Sequence, residues 1–124
     1  MASKLRLVAV VSAIAVTGAI ILSARGPSGR EIHLIGRNTT FYVEGSADPN
    51  PILRVKPGES IRIVFRNADA GMRHDFTIPD WDVESSVVPG LGDTVVTFKA
   101  PQQGRAEYNC TPHATVMKGT IAVE

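Results

Sequence analysis

From Arg30 onward, apolar and polar residues alternate in short runs that are separated by turn-forming residues. No stretch of ten or more positions has the apolar repeat of an amphipathic helix, so the pattern predicts an all-β fold. The predicted strands are Glu31–Ile35, Thr40–Val43, Ile52–Val55, Ser60–Arg66, His74–Ile78, Val83–Val88, Thr94–Lys99, Arg105–Cys110 and Lys118–Val123. Their spacing predicts a Greek-key β-sandwich or small barrel.

Residues 1–24 have a different pattern and predict a signal peptide or a membrane anchor, in the form of a hydrophobic helix before the β domain. Lys4 and Arg6 precede an uncharged, mostly apolar run. As a helix this run would be ~27 Å long, close to the ~30 Å hydrocarbon core of a bilayer. Leu22 stands where a cleavage site prefers a small residue, which favours an uncleaved anchor. Either interpretation places the remainder outside the cytoplasmic membrane, in the periplasm of a bacterium.

The remaining chain suffices for one domain. Gly and Pro residues mark 25–30 as a linker, and 31–124 is predicted to be a single, monomeric β domain. The full chain of 124 residues has a net charge of +1. Without Lys4 and Arg6, 11 basic and 12 acidic residues remain, so no polyanion-binding surface is implied and nucleic acid is excluded as a partner.

Three metal-binding side-chain types lie close together near the C-terminal end. Cys110 is the only cysteine, His113 follows three residues later, and Met117 follows after four more. A thiolate, two imidazoles and a weak thioether are the ligands that type 1 copper prefers. His74 is the candidate for the second imidazole.

Strand parity gives an independent test of this hypothesis, because successive side chains of a strand point to opposite faces. His74 shares the face of Phe76 in its predicted strand. Cys110 and Met117 also fall on the apolar faces of their strands, so these three candidate ligands are predicted to point inward. His113 lies on the connecting loop, where an edge of its ring is expected near solvent.

Each candidate taken alone has a simple structural explanation, since a buried histidine, cysteine or methionine is common in protein cores. Their combination favours copper. His33 serves as a control, because it shares the polar face of Glu31 and is predicted to lie on the surface. Met72, two residues before His74, is expected on the rim of the site or on a loop. A second possibility, that it competes with Met117 as a thioether ligand, is left open.

The order of these residues resembles the cupredoxins, the small blue copper proteins. The resemblance consists of His74 before a strand, the run Tyr108-Asn109-Cys110-Thr111-Pro112-His113, and Met117 before a closing strand. It implies one copper ion, cycling between Cu⁺ and Cu²⁺, with His74, Cys110 and His113 as equatorial ligands and Met117 as the axial ligand. It also implies a cupredoxin-type fold.

The segment after His74 also resembles the copper domain of cytochrome oxidase subunit II, which holds two coppers with two cysteines. Here Ala114 stands four residues after Cys110, so a dinuclear centre is not supported. The spacing from His113 to Met117 lies between the amicyanin-like and plastocyanin-like versions, which makes the axial ligand the least constrained of the four.

The resemblance implies single-electron transfer through the exposed edge of His113. Pro112, Ala114 and Val116 would form a small apolar docking patch for transient redox partners, which bury little surface. Arg73 and Lys118 adjoin the candidate ligands and give weak evidence for an acidic partner. Pro112 has no N–H to donate towards the Cys110 sulfur.

For Asp75, next to His74, two interpretations remain open: it connects the two ligand-bearing loops, or it points to solvent. Three rival functions also remain. One is an enzyme or small-molecule sensor with an open axial copper position. Another is a protein that delivers Cu(I). The third is a Cys110 nucleophile with His74 or His113 as base, which inward parity and the lack of an oxyanion-hole signature disfavour.

Overall fold

The computed structural model describes residues 29–124, so the predicted membrane or export segment 1–24 lies outside the described residues. Among residues 29–124, no helix has the length and apolar character needed to cross a membrane. The strands are β1 (Arg30–Arg37), β2 (Thr40–Val43), β3 (Leu53–Val55), β4 (Ser60–Asn67), β5 (Thr77–Ile78), β6 (Val83–Glu84), β7 (Gly92–Lys99), β8 (Arg105–Asn109) and β9 (Lys118–Val123). Two short 3₁₀ helices span Pro79–Trp81 and Thr111–His113.

The strands form two sheets that enclose one core. The first sheet has the order β2-β1-β4-β7, and the second has the order β3-β9-β8-β5-β6. The β1–β4 and β3–β9 pairs are parallel, whereas the other pairs are antiparallel. The predicted all-β sandwich is therefore confirmed, and β1 begins at Arg30, the last residue of the predicted linker.

The alternation read from the sequence corresponds to the two faces of the strands. In β4, Ile61, Ile63 and Phe65 are buried, whereas Arg62 and Arg66, which have the opposite parity, are exposed. Full burial of such apolar side chains stabilises the fold by about 1.5–3 kcal/mol each, relative to leaving them in water. Strand parity thus fixes which face of the first sheet packs inward.

An aromatic cluster fills the middle of the core. Phe41 packs edge-on against Phe65, Phe76 and Tyr108, with ring centroids 5.3–6.0 Å apart. All four rings are completely buried. The hydroxyl of Tyr108 donates a hydrogen bond to the carbonyl oxygen of Pro51 at 2.5 Å, so its polar end is also satisfied.

The candidate ligands lie beyond the ends of the strands, and the strands predicted to contain His74 and Cys110 are too long. β5 contains only Thr77 and Ile78, while His74 forms an isolated bridge with Val88. Cys110 follows the last residue of β8 in an extended conformation. Extended backbone preserves the side-chain direction beyond the paired residues, which is why the inward direction was correct despite the wrong boundaries.

Candidate metal centre

The folded chain brings the thiol of Cys110 and the rings of His74 and His113 together. The Cys110 Sγ lies 3.6 Å from Nδ1 of His74 and 3.5 Å from Nδ1 of His113. The two ring centroids are 5.0 Å apart, and the three potential ligand atoms all lie within 4.8 Å of one another. Both imidazoles therefore present the same nitrogen, Nδ1, to the sulfur.

These separations fit one metal ion between the three atoms. Bonds of ~2.3 Å to sulfur and ~2.0 Å to nitrogen, in a trigonal arrangement, would place the sulfur and each nitrogen roughly 3.7 Å apart. The distances of 3.6 and 3.5 Å are close to that value. A donor set of one thiolate and two imidazoles suits copper, the cofactor that the sequence predicts.

Cys110 sits in surroundings that disfavour a free thiolate. Its side chain is completely buried, and this burial raises the pKa of the Cys110 thiol. A cation bonded to the sulfur would offset the loss of hydration, because a coordinating thiol is deprotonated by the metal. The environment therefore favours either a neutral thiol or a metal-bound thiolate.

The backbone of Met117 is hydrogen-bonded to the backbones of Cys110 and His113. The Cys110 N–H donates to the Met117 carbonyl oxygen at 3.0 Å, and the Met117 N–H donates to the His113 carbonyl oxygen at 2.9 Å. These two bonds close the loop from 110 to 117 into a compact turn. The Met117 side chain is completely buried, as inward parity predicted.

Asp75 connects the two ligand-bearing segments. The Thr111 N–H donates to Asp75 Oδ1 at 2.6 Å, and Asp75 is only 1% exposed. The alternative in which this carboxylate points to solvent is therefore wrong. The hydrogen bond joins the residue after His74 to the residue after Cys110, and it fixes the two segments relative to each other.

Asp69 is a residue of this site that the sequence interpretation missed. Its Oδ2 lies 2.8 Å from Nε2 of His74 and accepts a hydrogen bond from the Asn38 N–H at 2.8 Å. A proton on Nε2 of a neutral ring would be shared with this carboxylate, which leaves Nδ1 free to bind a metal. The signal available in the sequence was a carboxylate five residues before a candidate histidine ligand.

The sequence also raised His33 and Met72, and the structure places His33 outside this cluster. His33 is exposed, with Nε2 2.6 Å from a carboxylate oxygen of Glu31, so the prediction of a surface residue is confirmed. Met72 is half-buried in the loop before His74, and its carbonyl oxygen accepts a hydrogen bond from Asn67.

The surface around His113 is apolar and accessible. Pro112 and Ala114 are exposed, Val116 is 59% exposed, and the His113 ring is half-buried between them. The charge of nearby Lys118 is partly compensated, because its Nζ lies 3.8 Å from a Glu107 carboxylate oxygen. Among the four candidate ligands, His113 is the one that reaches this surface.

Comparison with known sequences gives one family. A model described as a cupredoxin-like domain matches residues 13–123 of the chain. No curated protein sequence matches the chain significantly.

Solved structures of the same fold include copper proteins. Auracyanin A, a blue copper protein from the bacterium Chloroflexus aurantiacus, is 21% identical with a TM-score of 0.64, covering 77% of this chain and 99% of its own. Reduced rusticyanin is 24% identical with a TM-score of 0.53, covering 78% and 81%. A chain of a heme-copper terminal oxidase dimer is 18% identical with a TM-score of 0.60, covering 76% and 63%. At these identities the likeness establishes the fold.

Proposed function

The chain belongs to the cupredoxin-like family, and we propose that it is a mononuclear type 1 copper protein that carries single electrons between redox partners. The observation that carries this proposal is the grouping of one sulfur and two Nδ1 atoms within 4.8 Å of one another, next to the buried Met117 whose backbone is hydrogen-bonded to Cys110 and His113. Bound copper supplies a one-electron couple between its +1 and +2 states. His74, Cys110 and His113 are the proposed equatorial ligands and Met117 the proposed axial ligand.

The protein's contribution is to hold these side chains in one arrangement. Both imidazoles bind as neutral rings and Cys110 binds as the thiolate, so acid weakens the site through competition by protons. The hydrogen bond from Thr111 to Asp75 and the contact of His74 with Asp69 restrain the two segments. Restrained ligands move little when the metal changes charge, which favours rapid electron transfer.

The enclosure of the site supports a carrier rather than an enzyme. His74, Cys110 and Met117 are each 0% exposed, so a substrate has no direct access to them from solvent. The edge of His113 is the proposed point of electron exchange. Pro112, Ala114 and Val116 around it suit transient redox partners, because such encounters bury small apolar surfaces.

The proposed location is outside the cytoplasmic membrane. The basic residues and apolar run of segment 1–24 support export or anchoring in that membrane, with the domain 31–124 on the outer face.

The direct test is to add Cu(II) to the purified full chain and record its visible absorption and electron paramagnetic resonance. We expect an intense blue colour and a narrow copper hyperfine splitting, both of which come from a copper–thiolate bond. Cys110→Ser should lose both signals. His33→Gln, which changes the exposed histidine beside Glu31, should retain them.

Other outcomes separate the rival functions. A colourless parent with ordinary square-planar copper signals would contradict the proposal, and transfer of Cu(I) from such a protein to a partner would favour copper delivery. A blue parent whose spectrum changes rapidly on adding azide would favour an open axial position. If Met117 fills the axial position, as proposed for a carrier, adding azide should leave the spectrum unchanged.

A further inference from the structure

Gly36 occupies a core position where strand alternation calls for an apolar side chain. It lies on β1 with the same parity as Leu34, and both residues are buried. The φ angle of Gly36 is not among the positive values of the chain, so its backbone conformation does not require glycine. The reason for a glycine here must therefore be the space around it.

That space is filled by two side chains. A Cβ atom on residue 36 would lie 2.7 Å from Cζ of Phe65 and 2.9 Å from Cε of Met117. Both separations are far below the ~3.5–4.0 Å of ordinary carbon contacts. An added methyl group must therefore displace one of these two neighbours or the backbone itself.

The backbone of Gly36 is the least free to move. Gly36 pairs with Phe41 of β2 and with Asn67 of β4, and its carbonyl oxygen accepts a hydrogen bond from the Ala68 N–H at 2.9 Å. Hydrogen-bonded strands on both sides hold it in the sheet.

Of the two neighbours, Met117 is the more adaptable. The ring of Phe65 is completely buried, with its centroid 5.7 Å from that of Phe41 in an edge-on contact. The Met117 side chain is unbranched with three rotatable bonds, and the atom that meets Gly36 is its terminal methyl carbon. A methyl group at residue 36 should therefore displace the thioether first.

We propose that Gly36 is a positioning residue for the Met117 thioether: the missing side chain leaves the space that the terminal methyl carbon of Met117 occupies. This inference rests on the proposed function, in which Met117 is the weak axial ligand. An axial donor of this kind tunes the reduction potential, because its lone pair stabilises the oxidised metal. Displacement of the thioether should therefore raise the potential and leave the three equatorial ligands in place.

The test is a double-mutant cycle on the copper-loaded full chain, with the reduction potential and the visible spectrum as readouts. We expect Gly36→Ala to raise the potential in the parent. In the Met117→Ala background, where no thioether remains to be displaced, the same substitution should leave the potential unchanged. Gly71→Ala is the matched control, because a Cβ at that position meets nothing within 4 Å, and it should have no effect.

Thermal unfolding of the copper-free chain extends the cycle to variants that bind no copper. Gly36→Ala should lower the unfolding temperature by several degrees in the parent and by much less in the Met117→Ala background. If Gly36→Ala alone does not fold, recovery of folding in the double variant supports the proposal. Failure to recover would assign the clash to Phe65 and overturn it.

The outcomes also separate this inference from the proposed function. A parent that does not turn blue contradicts the copper assignment, and the copper-free cycle then still decides whether residues 36 and 117 compete for space. A blue parent whose potential and spectrum are the same in Gly36→Ala overturns the inference alone. Equal shifts of the potential with and without the thioether would also overturn it.

Discussion

The two segments that bring histidines into the candidate metal centre enclose them to different degrees. His74 is 0% exposed, its backbone pairs with Val88, and its Nε2 faces the Asp69 carboxylate at 2.8 Å. His113 lies at the end of a 3₁₀ turn in the loop after Cys110, and its ring is half-buried. The imidazole of His74 is therefore enclosed and contacts a carboxylate, whereas the imidazole of His113 reaches the surface.

This difference gives the two histidines different roles, one in fixing the metal site and the other in exchanging electrons with a partner. Asn38, in the β1–β2 turn, donates its N–H to the same Asp69 oxygen that faces His74, so the turn and the ring are joined through one carboxylate. His113 instead borders the exposed Pro112 and Ala114. We infer that His74 anchors the site, whereas His113 is the side chain through which a partner is reached.

The largest expected effect comes from removing each ring in turn. His74→Gly and His113→Gly should both abolish the blue colour of the copper-loaded protein, because each removes an equatorial ligand. Added imidazole should restore the colour only in His113→Gly, since the vacated space there opens to solvent. The measurement is visible absorption during titration with imidazole.

His33→Gly is the matched control, because it removes an exposed histidine that lies outside the cluster. It should remain blue without imidazole. Equal restoration of both variants, or restoration of His74→Gly alone, would refute the distinction between an enclosed and an accessible histidine.

A smaller effect is expected from the contact behind His74. Asp69→Ala removes the carboxylate next to Nε2, and the copper affinity should fall by about 10–100-fold, the usual cost of losing such a partner. Asp69→Asn keeps an acceptor but not the charge, so its loss should be intermediate. Competition with a copper chelator measures both values.

Asp93→Asn provides the control for this series. Asp93 is an exposed carboxylate that pairs with Arg66, and its replacement should leave the copper affinity unchanged. If Asp69→Ala bound copper as tightly as the parent, the contact of His74 with the Asp69 carboxylate would not contribute to copper binding. The proposed difference between an anchored His74 and an accessible His113 would then be contradicted.

The sheets were predictable because their strands alternate regularly. The bounds of β2 and β9 agree with the predicted Thr40–Val43 and Lys118–Val123. The predicted strand His74–Ile78 failed over its first three residues, where Phe76 bonds with Ser85 through its backbone N–H and carbonyl oxygen instead of joining a ladder. Alternation reports which face a side chain takes and does not report how far the pairing extends.

The site was predictable as far as its residues carry distinctive chemistry. Cys110 and His74 were identified from residue type and parity, and His113 from residue type and its spacing after Cys110; the structure brings all three together. Asp69 had only a weak signal, its position five residues before His74, because it lies in an irregular loop and acts through a contact that only the folded chain creates. The role of Gly36 was equally hidden, since it depends on the atoms that surround an absent side chain.

The smallest expected effect concerns the pH dependence of the copper-free protein, and it tests whether Cys110 belongs to the enclosed part of the site. Burial raises the pKa of the Cys110 thiol above its unfolded value of about 8.5. The neutral thiol therefore contributes stability that is fully present below the unfolded pKa and is lost as pH rises through the folded pKa. The unfolding temperature should fall as pH rises from about pH 8 towards pH 10, and each 1 kcal/mol of stability lost lowers it by about 4–8 °C in a domain of this size.

Cys110→Ser removes the titrating group and should flatten this decrease, which isolates the cysteine from other groups. Burial also raises the pKa of Tyr108, but the ionisation of this tyrosine lowers the stability only at higher pH, beyond the range of the experiment. A parent and variant with the same pH dependence would mean that the copper-free thiol ionises as freely as in the unfolded chain. Cys110 would then resemble His113 in its access to water, and the enclosed part of the site would be reduced to His74 and Met117.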